Sequence, residues 1–466
     1  MDRSRYGVDV LVVGGGNAGL CAALDASKAG ARVLVCEKGI LDYRGGNSRH
    51  TRDIRYRHES PDAYTTGRYS AADFRADIER VSAGLEYDRE LADLLVEESA
   101  SLPDWMSAQG VRWQGSLRGT LNLHSSNAFF LGGGRAMLNA YYAAARRRGV
   151  EVWYEAEVVD LRIVDERFRS ALVALPGPRH VEVEAASVVV CSGGFEANRD
   201  WLRDCIGDAA EGVIVRGTPN NDGRLLRLLL DHGAAPVGDA RSFHAIAVDA
   251  RAPRYDGGIV TRVDSVPFGI VVNREGCRFA DEGADLWPKQ YATWGGLIAA
   301  QPDQIAYSIV DSKAAGRFIP VAFPPHAAAS LDALIETVEL PPATTRATLT
   351  AFNAAVRGDG SLDLDRLDGN HTEGIDPPKS HWASAIDTPP FYLYPLRPGI
   401  TFTYLGVRVD ADARVVTTAG TTLRNVYAAG EVMAGNILGH GYLAGLGLTI
   451  GHAFGRIAGR EAAGDR

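Results

Sequence analysis

Residues 8–19 read VDVLVVGGGNAG, and this stretch decides the fold. Val8 and Val10–Val13 form a short apolar run of the kind a buried strand requires. Gly14, Gly16 and Gly19 then fit G-x-G-x-x-G where that strand ends and the helical run Leu20–Ala29 begins. The first glycine permits a tight turn, the second lets backbone approach a pyrophosphate, and the third allows helix and strand to pack closely. Asn17 and Ala18 sit in the same turn, at a helix N-terminus whose free N–H groups favour phosphate. Gly30 stops the helix, and residues 32–36 (RVLVC) form a second strand ending at Glu37 and Lys38. An acid at that point can bond ribose hydroxyls. Strand, turn, helix and strand together predict a Rossmann-like α/β unit for a dinucleotide.

Working outward, residues 41–60 are polar, basic and loop-like, and residues 71–110 are helical in pattern. A helix is expected over 136–149, strands over 151–190, and a helix over 224–232. Residues 187–191 (SVVVC) are a buried strand running into SGGFEAN. Residues 236–385 have a different texture, with irregular strands and many prolines, and read as an inserted α+β domain. The expected organisation is therefore 1–235 and 386–466 as the nucleotide-binding domain, with 236–385 inserted. Strands are expected at 402–409 and 425–429, and a small-residue helix over 444–460.

A second feature decides between FAD and NAD. Residues 425–431 (NVYAAGE) are a strand running into Gly430-Glu431 near the C-terminus, a return that places backbone near a flavin and that an NAD dehydrogenase does not need. Gly45, Gly46, Asn47 and Ser48 form a turn with donors, and Ser192 and Gly193 form another after a strand. Val158, Asp222, Gly445 and Leu446 complete the expected FAD contacts.

The chain has 466 residues, 46% hydrophobic and 23% charged, which describes a globular protein larger than one ordinary domain. The net charge of -9 argues against a nucleic-acid partner, which needs a positive field. Cys21, Cys36, Cys191, Cys205 and Cys277 show no C-x-x-C pair and no zinc or iron–sulfur spacing, so they read as reduced, mostly buried thiols, and no metal is expected. The run Val10–Val13 is too short for a signal peptide or membrane span. The expected location is the cytoplasm, with peripheral attachment at the inner face of a membrane through a partner left open.

The strings GGGNAG, RGGNS, CSGGF, NDG, VVNREGCRF and YAAGE occur in the order that resembles the fumarate reductase/succinate dehydrogenase flavoprotein superfamily. Residues 44–52 (RGGNSRHTR), 127–135 (NAFFLGGGR), 282–295 (EGADLWPKQYATWG) and 430–445 (GEVMAGNILGHGYLAG) look like its tricarballylate dehydrogenase-like branch. The resemblance implies an FAD domain with a mobile capping domain. It also implies hydride transfer between a substrate carbon and flavin N5, with a proton exchanged at the neighbouring carbon. A membrane-bound iron–sulfur or heme partner would accept the electrons.

Three departures from the reductases stand out. The arginine that follows the R-F-x-x-E motif by four residues is Leu286 here, and the histidine of the substrate motif is Phe402. The carboxylate clamp becomes His440-Gly441-Tyr442-Leu443-Ala444, which also resembles the tyrosine element of 3-ketosteroid dehydrogenases. The expected chemistry is desaturation of a small polycarboxylic acid, tricarballylate to cis-aconitate foremost. A flavin oxidase or an enoate reductase of a biosynthetic pathway is the alternative, and a non-catalytic flavin-binding protein the remaining one.

Desaturating an acid needs cations to hold the carboxylates and a base to take a proton. Residues 49–58 (RHTRDIRYRH) place arginines directly after the GGNS turn. Arg49, Arg52 and Arg55 are the expected anchors, with Arg52 also assigned to catalysis, and His244 and Arg262 are expected to touch substrate. His440 and Tyr442 follow the Gly-Glu turn as catalytic candidates. Asp285, Lys289 and Tyr291 are the candidates for the base.

Overall fold

The computed structural model describes residues 4–82, 84–115 and 123–465. Ala83, inside the stretch expected to be helical, lies outside them. The opening strand Ser4–Val13 runs parallel between Val33–Cys36 and His180–Val190, with Val10 opposite both Val33 and Ser187. Glu151–Trp153 extends the sheet beyond Val33–Cys36, and Thr422–Ala428 extends it beyond His180–Val190, both parallel. Val10–Val13 and Val33–Cys36 are buried, as expected for strands covered on both faces, so their sequence is continuously apolar rather than alternating. A hairpin of Glu157–Val164 and Arg167–Ala174 joins antiparallel to His180–Val190.

The first helix, Asn17–Lys28, lies against the C-terminal helix Leu446–Gly464. Glycine makes this contact so close. A Cβ at Gly455 would lie 2.4 Å from the Ala18 carbonyl oxygen, and one at Gly459 would lie 2.3 Å from that of Ala22. The small-residue stripe therefore fixes the N-terminus of the first helix, where the cavity described below begins.

The second sheet is organised by one long strand, Phe391–Thr403. Phe243–Asp249, Ala306–Val310 and His326–Ala328 pair with it antiparallel, Ile214–Val215 pairs parallel, and Ile270–Asn273 adds an edge. Two of these strands fall outside the expected inserted span of 236–385. The long strand is apolar and nearly continuous, so it runs through the second sheet and delivers Thr401 and Phe402 to the cavity between the sheets. Only its end and the short Gly406–Val407 occupy the strand expected at 402–409.

The expected helices appear as Ala71–Ser82, Arg89–Ser99, Leu102–Ala108, Gly133–Arg147 and Arg224–Asp231. The basic stretch 41–60 holds two short 3-10 turns and the strand Asp53–Arg55. Cys21, Cys36 and Cys191 are buried, Cys205 is half-buried and Cys277 is exposed. Among the described residues no helix is long and apolar enough to cross a membrane.

Candidate active site

A cavity runs from the G-x-G-x-x-G turn to the second sheet. Its first half is built from backbone. Gly14, with φ +103°, turns the chain out of the first strand, and a Cβ at Gly19 would lie 1.9 Å from the Gly14 oxygen. The residue before the helix, Gly16, supplies no side-chain cap; Asn17 N donates to Ser48 Oγ at 3.1 Å, and the next N–H groups of the first turn are left for an anion in the cavity. Glu37 is buried and accepts from the N–H groups of Gly15 at 3.0 Å, Gly39 at 2.6 Å and Gly45 at 3.2 Å. Burial pushes its carboxyl up against the pull of those donors. Beyond it Lys38 bonds Asp222 at 2.8 Å and Glu157 at 3.0 Å, bridging three segments at the cavity mouth. A helix start with N–H groups left for an anion, a side-chain-free turn and an acid at the end of the second strand together fit a dinucleotide.

Of the expected FAD contacts, Gly14, Gly16, Asn17, Ala18, Glu37, Lys38, Gly45, Gly46, Asn47, Ser48, Val158, Ser192, Gly193, Asp222, Gly430 and Glu431 all line the cavity. Three do not. Gly19 lies behind Gly14, where it serves packing. Gly445 is pressed against Asp53, Arg55 and Asn127, and Leu446 is fully buried. Their place is taken by Gly447 and Leu448, one step further along the same helix. Asn221 also lines the cavity, and with Asn47 it donates to the buried carboxylate of Glu196.

Arg216, His244, Phe402 and Tyr442 line the far half of the cavity, and Arg52, Arg262 and Tyr291 lie beside them without lining it. Arg216, on the loop after Ile214–Val215, is 7% exposed and lines the cavity, yet its Nε and Nη1 have no partner. Burial, and then the charges of Arg262 and Arg52, push it down to about 10. Arg262 is buried, bonds Asp264 at 2.9 Å and lies 4.6 Å over the Tyr291 ring. Burial opposes its charge, but Asp264 and Tyr291 hold its pKa above the ordinary value. Arg52 is engaged through Nε with Asp53 at 3.3 Å, and burial and Arg262 lower it.

Above these cations His244 links two hydroxyls, meeting Thr401 Oγ1 through Nδ1 and Tyr291 OH through Nε2 at 3.0 Å. Burial, Arg216 and Arg262 keep its pKa well below the usual histidine value, so the ring is neutral. Burial pushes the Tyr291 phenol up to about 12, against Arg262. The Tyr442 ring packs on His244 at 4.0 Å between centroids, and its hydroxyl accepts from Gly447 N at 3.0 Å. Arg52, Arg262, His244, Tyr291 and Tyr442 are thus gathered together, with Phe402 against Tyr442.

Five expected residues lie elsewhere. His440 is exposed, because Gly441 N is tied to Val81 O at 2.7 Å and Tyr404 OH donates to Gly441 O at 3.0 Å. With Gly441 clamped from both sides, Tyr442 faces in and His440 faces out. Arg49 turns back onto its own loop, with Nη1 on Asp42 O at 3.1 Å and its guanidinium over Tyr43. Arg55 is buried but spends its donors on Ala444 O, Tyr69 OH and Asp77. Asp285 pairs with Arg80 at 2.8 Å and Lys289 with Asp77 at 3.0 Å, both on the outer helix Ala71–Ser82. Neither lines the cavity. Arg216 and Glu196 were missed. The only local sign of Arg216 was a cation following a short apolar run just before NNDG, and Glu196 stood unremarked inside SGGFEAN.

The FAD binding domain family matches residues 9–448. The chain is 24% identical over 471 residues to the NADH:fumarate oxidoreductase of Klebsiella pneumoniae (strain 342), covering 99% of this chain and 48% of that protein. It therefore spans about half the length of that relative. It is 25% identical over 492 residues to the vinyl phenol reductase of Lactiplantibacillus plantarum, covering 98% of this chain and 96% of the relative. The structure of the open conformation of a flavocytochrome c3 fumarate reductase has the same fold, with a TM-score of 0.76 at 20% identity over 99% of this chain and 78% of that one. The chain belongs to the FAD binding domain family, with FAD as its cofactor and the fold of the fumarate reductase/succinate dehydrogenase flavoproteins around it.

Proposed function

We propose that the chain is an FAD-dependent oxidoreductase acting on a CH–CH bond of a small polycarboxylic acid, with tricarballylate to cis-aconitate as the foremost reaction. The single observation that carries this reading is Arg216, a buried guanidinium with two unpartnered nitrogens on the cavity wall. Unpaired buried cations are costly, so this one calls for an anion, and a carboxylate matches its planar fork. Arg52 supplies a second anchor through the terminal nitrogens its Asp53 contact leaves free of that contact.

In this reading the Gly14–Ala18 turn holds the FAD pyrophosphate and Glu37 a ribose. Lys38, Val158 and Asp222 close over the adenosine end, while Gly45–Ser48, Ser192–Gly193 and Gly430–Glu431 surround the flavin end. Bound FAD supplies the two-electron hydride chemistry. Tyr291 exchanges the proton at the neighbouring carbon, oriented by the His244–Thr401 pair, and so takes the place left by Leu286. Phe402 and Tyr442 exclude water from the reacting carbons. An iron–sulfur or heme partner at a membrane, reached from the cytoplasm, is the proposed electron acceptor.

A second reading is reduction of the double bond of a small enoate. It is favoured by a phenol held protonated up to about 12, which suits proton donation, and by relatives named as reductases.

The test is anaerobic stopped-flow absorbance of the holoprotein. Oxidised flavin is mixed with tricarballylate, succinate, citrate and a steroid ketone, and reduced flavin with cis-aconitate and fumarate. Rapid bleaching by tricarballylate with cis-aconitate as product supports desaturation. Reoxidation by the enoates alone supports the reductase reading. No response to any acid in either direction overturns both.

A further inference from the structure

Glu196 and Glu431 meet in the wall of the cofactor cavity. Glu196 is fully buried and Glu431 is 9% exposed and lines the cavity. Glu196 Oε1 is saturated, accepting from Asn47 Nδ2 at 2.5 Å and Asn221 Nδ2 at 2.7 Å. Glu431 Oε1 accepts from Thr403 N at 2.8 Å and Thr403 Oγ1 at 3.2 Å. The remaining oxygen of Glu196, Oε2, is buried and receives no donor.

What faces that oxygen is the other carboxylate. The space above Gly194 shows it, since a Cβ placed there would lie 2.3 Å from Glu431 Oε1 and 2.9 Å from Glu196 Oε2. Two ionised carboxylates cannot share such a space away from water, because like charges there repel strongly and each lacks solvent. One proton between Glu196 Oε2 and Glu431 Oε1 removes the repulsion and supplies the missing donor. Burial pushes both carboxyls up in pKa, and Glu196 raises Glu431 further while the bond to Glu431 lowers Glu196, which puts the shared proton toward Glu431.

We propose that Glu196 and Glu431 share a single proton at neutral pH, and that Glu196 is thereby a positioning residue that holds Glu431 in place against the cofactor. Losing that proton leaves two buried like charges, drives Glu431 off its Thr403 contacts and loosens FAD. The other charged or titratable groups nearby are His50 on Asp256, Arg216, His244, Tyr442 and Asp222, the last paired with Lys38. His50 and His244 are neutral well before the alkaline range, Arg216 stays charged, and burial keeps the Tyr442 phenol protonated. Glu37, which burial also pushes up, lines the same cavity and is untouched by Glu196→Gln, so the part of an alkaline loss of FAD affinity that this substitution removes belongs to the carboxyl pair.

Glu196→Gln imitates the protonated state. Its Oε1 still accepts from both asparagines, and its Nε2 donates to Glu431. Infrared spectra of the holoprotein at neutral pH should show a carboxylic-acid C=O band, shifted in deuterium oxide, that is absent in Glu196→Gln and in Glu431→Gln. FAD affinity, read from flavin fluorescence quenching, should fall about tenfold per pH unit once the wild-type pair deprotonates. Glu196→Gln should keep its neutral-pH affinity and lose that part of the alkaline fall. Absence of the band in the wild type, or its survival in both variants, overturns the proposal. So does an alkaline fall in Glu196→Gln equal to that of the wild type.

Discussion

Arg216→Met separates ligand recognition from folding. The guanidinium is buried among Arg52 and Arg262, and two of its nitrogens bond nothing. A base whose folded pKa is depressed binds its proton less well in the fold, so charging it opposes folding at every pH below the folded value. Holding Arg216 at about 10 instead of 12.5 thus costs the substrate-free protein ~3 kcal/mol. Methionine is unbranched, adaptable and uncharged, so it relieves this cost without leaving a large void. Stability without substrate should rise by ~1–3 kcal/mol, the usual gain when a buried charge gives way to an apolar side chain. Catalysis should move the other way. Losing a buried arginine–carboxylate contact costs ~3–4 kcal/mol, or a fall in kcat/KM of ~10²–10³. Urea unfolding followed by flavin fluorescence and turnover of the preferred acid measure both on the same preparation. A variant that is less stable and fully active would refute the reasoning and make Arg216 a structural residue.

Tyr291→Phe should lower turnover ~10²–10⁴-fold with little change in FAD affinity. The wild-type oxidative rate should climb with pH toward the phenol's value of about 12, and a flat wild-type profile would count against Tyr291. Gly455→Ala places a Cβ 2.4 Å from the Ala18 oxygen and should cost ~1–3 kcal/mol of stability. The same change should weaken FAD binding by displacing the helix N-terminus, and unfolding curves matching the wild type would contradict the close packing. Burial and nearby arginines keep the His452 pKa well below 6.5, so the unfolded chain binds its proton first as pH falls. Stability should therefore drop by ~1.4 kcal/mol per pH unit below ~6.5 on account of this group. His452→Gln should flatten that slope, and an unchanged slope would show that other groups set it.

The cofactor half of the cavity was legible because its chemistry is local in sequence. Turn, helix start and strand end are consecutive from Val10 to Glu37, and each uses backbone or a residue tied directly to it. The Gly-Glu return was legible for the same reason. The substrate half depends on contacts between distant segments. Arg216, Arg262, His244, Tyr291 and Tyr442 come from five stretches; the pairing of Ile214–Val215 and Phe243–Asp249 with Phe391–Thr403 brings the Arg216 and His244 stretches together, and the bridge from Val248 to Arg262 adds a third. Density of arginine in 49–58 was a poor guide, because Arg55 and Arg57 are taken up by acids from other segments and Arg49 by its own loop. Arg52 reached the cavity cluster, while Arg55 was consumed by Asp77 and Ala444. Asp285 and Lys289 were misplaced because their partners, Arg80 and Asp77, lie some two hundred positions away.

Charge balance narrows what the substrate half accepts. Arg52, Arg216 and Arg262 act on one another and are offset by Asp53 and Asp264, leaving one positive charge in excess. His244 is neutral and adds nothing. The excess resides on Arg216, since Arg262 is spent on Asp264 and Tyr291. One carboxylate on Arg216 therefore neutralises the pocket, and a second on Arg52 must share that cation with Asp53, 3.3 Å from Nε. A third has no counter-charge among these groups and must either face water or keep its proton. A dicarboxylate should thus bind with little pH dependence near neutrality. A tricarboxylate should bind more tightly as pH falls through its last ionisation, since the proton supplies the charge the pocket lacks. Flavin bleaching by succinate and tricarballylate across that range reads the difference directly. Equal pH dependence for the two acids would refute this charge count.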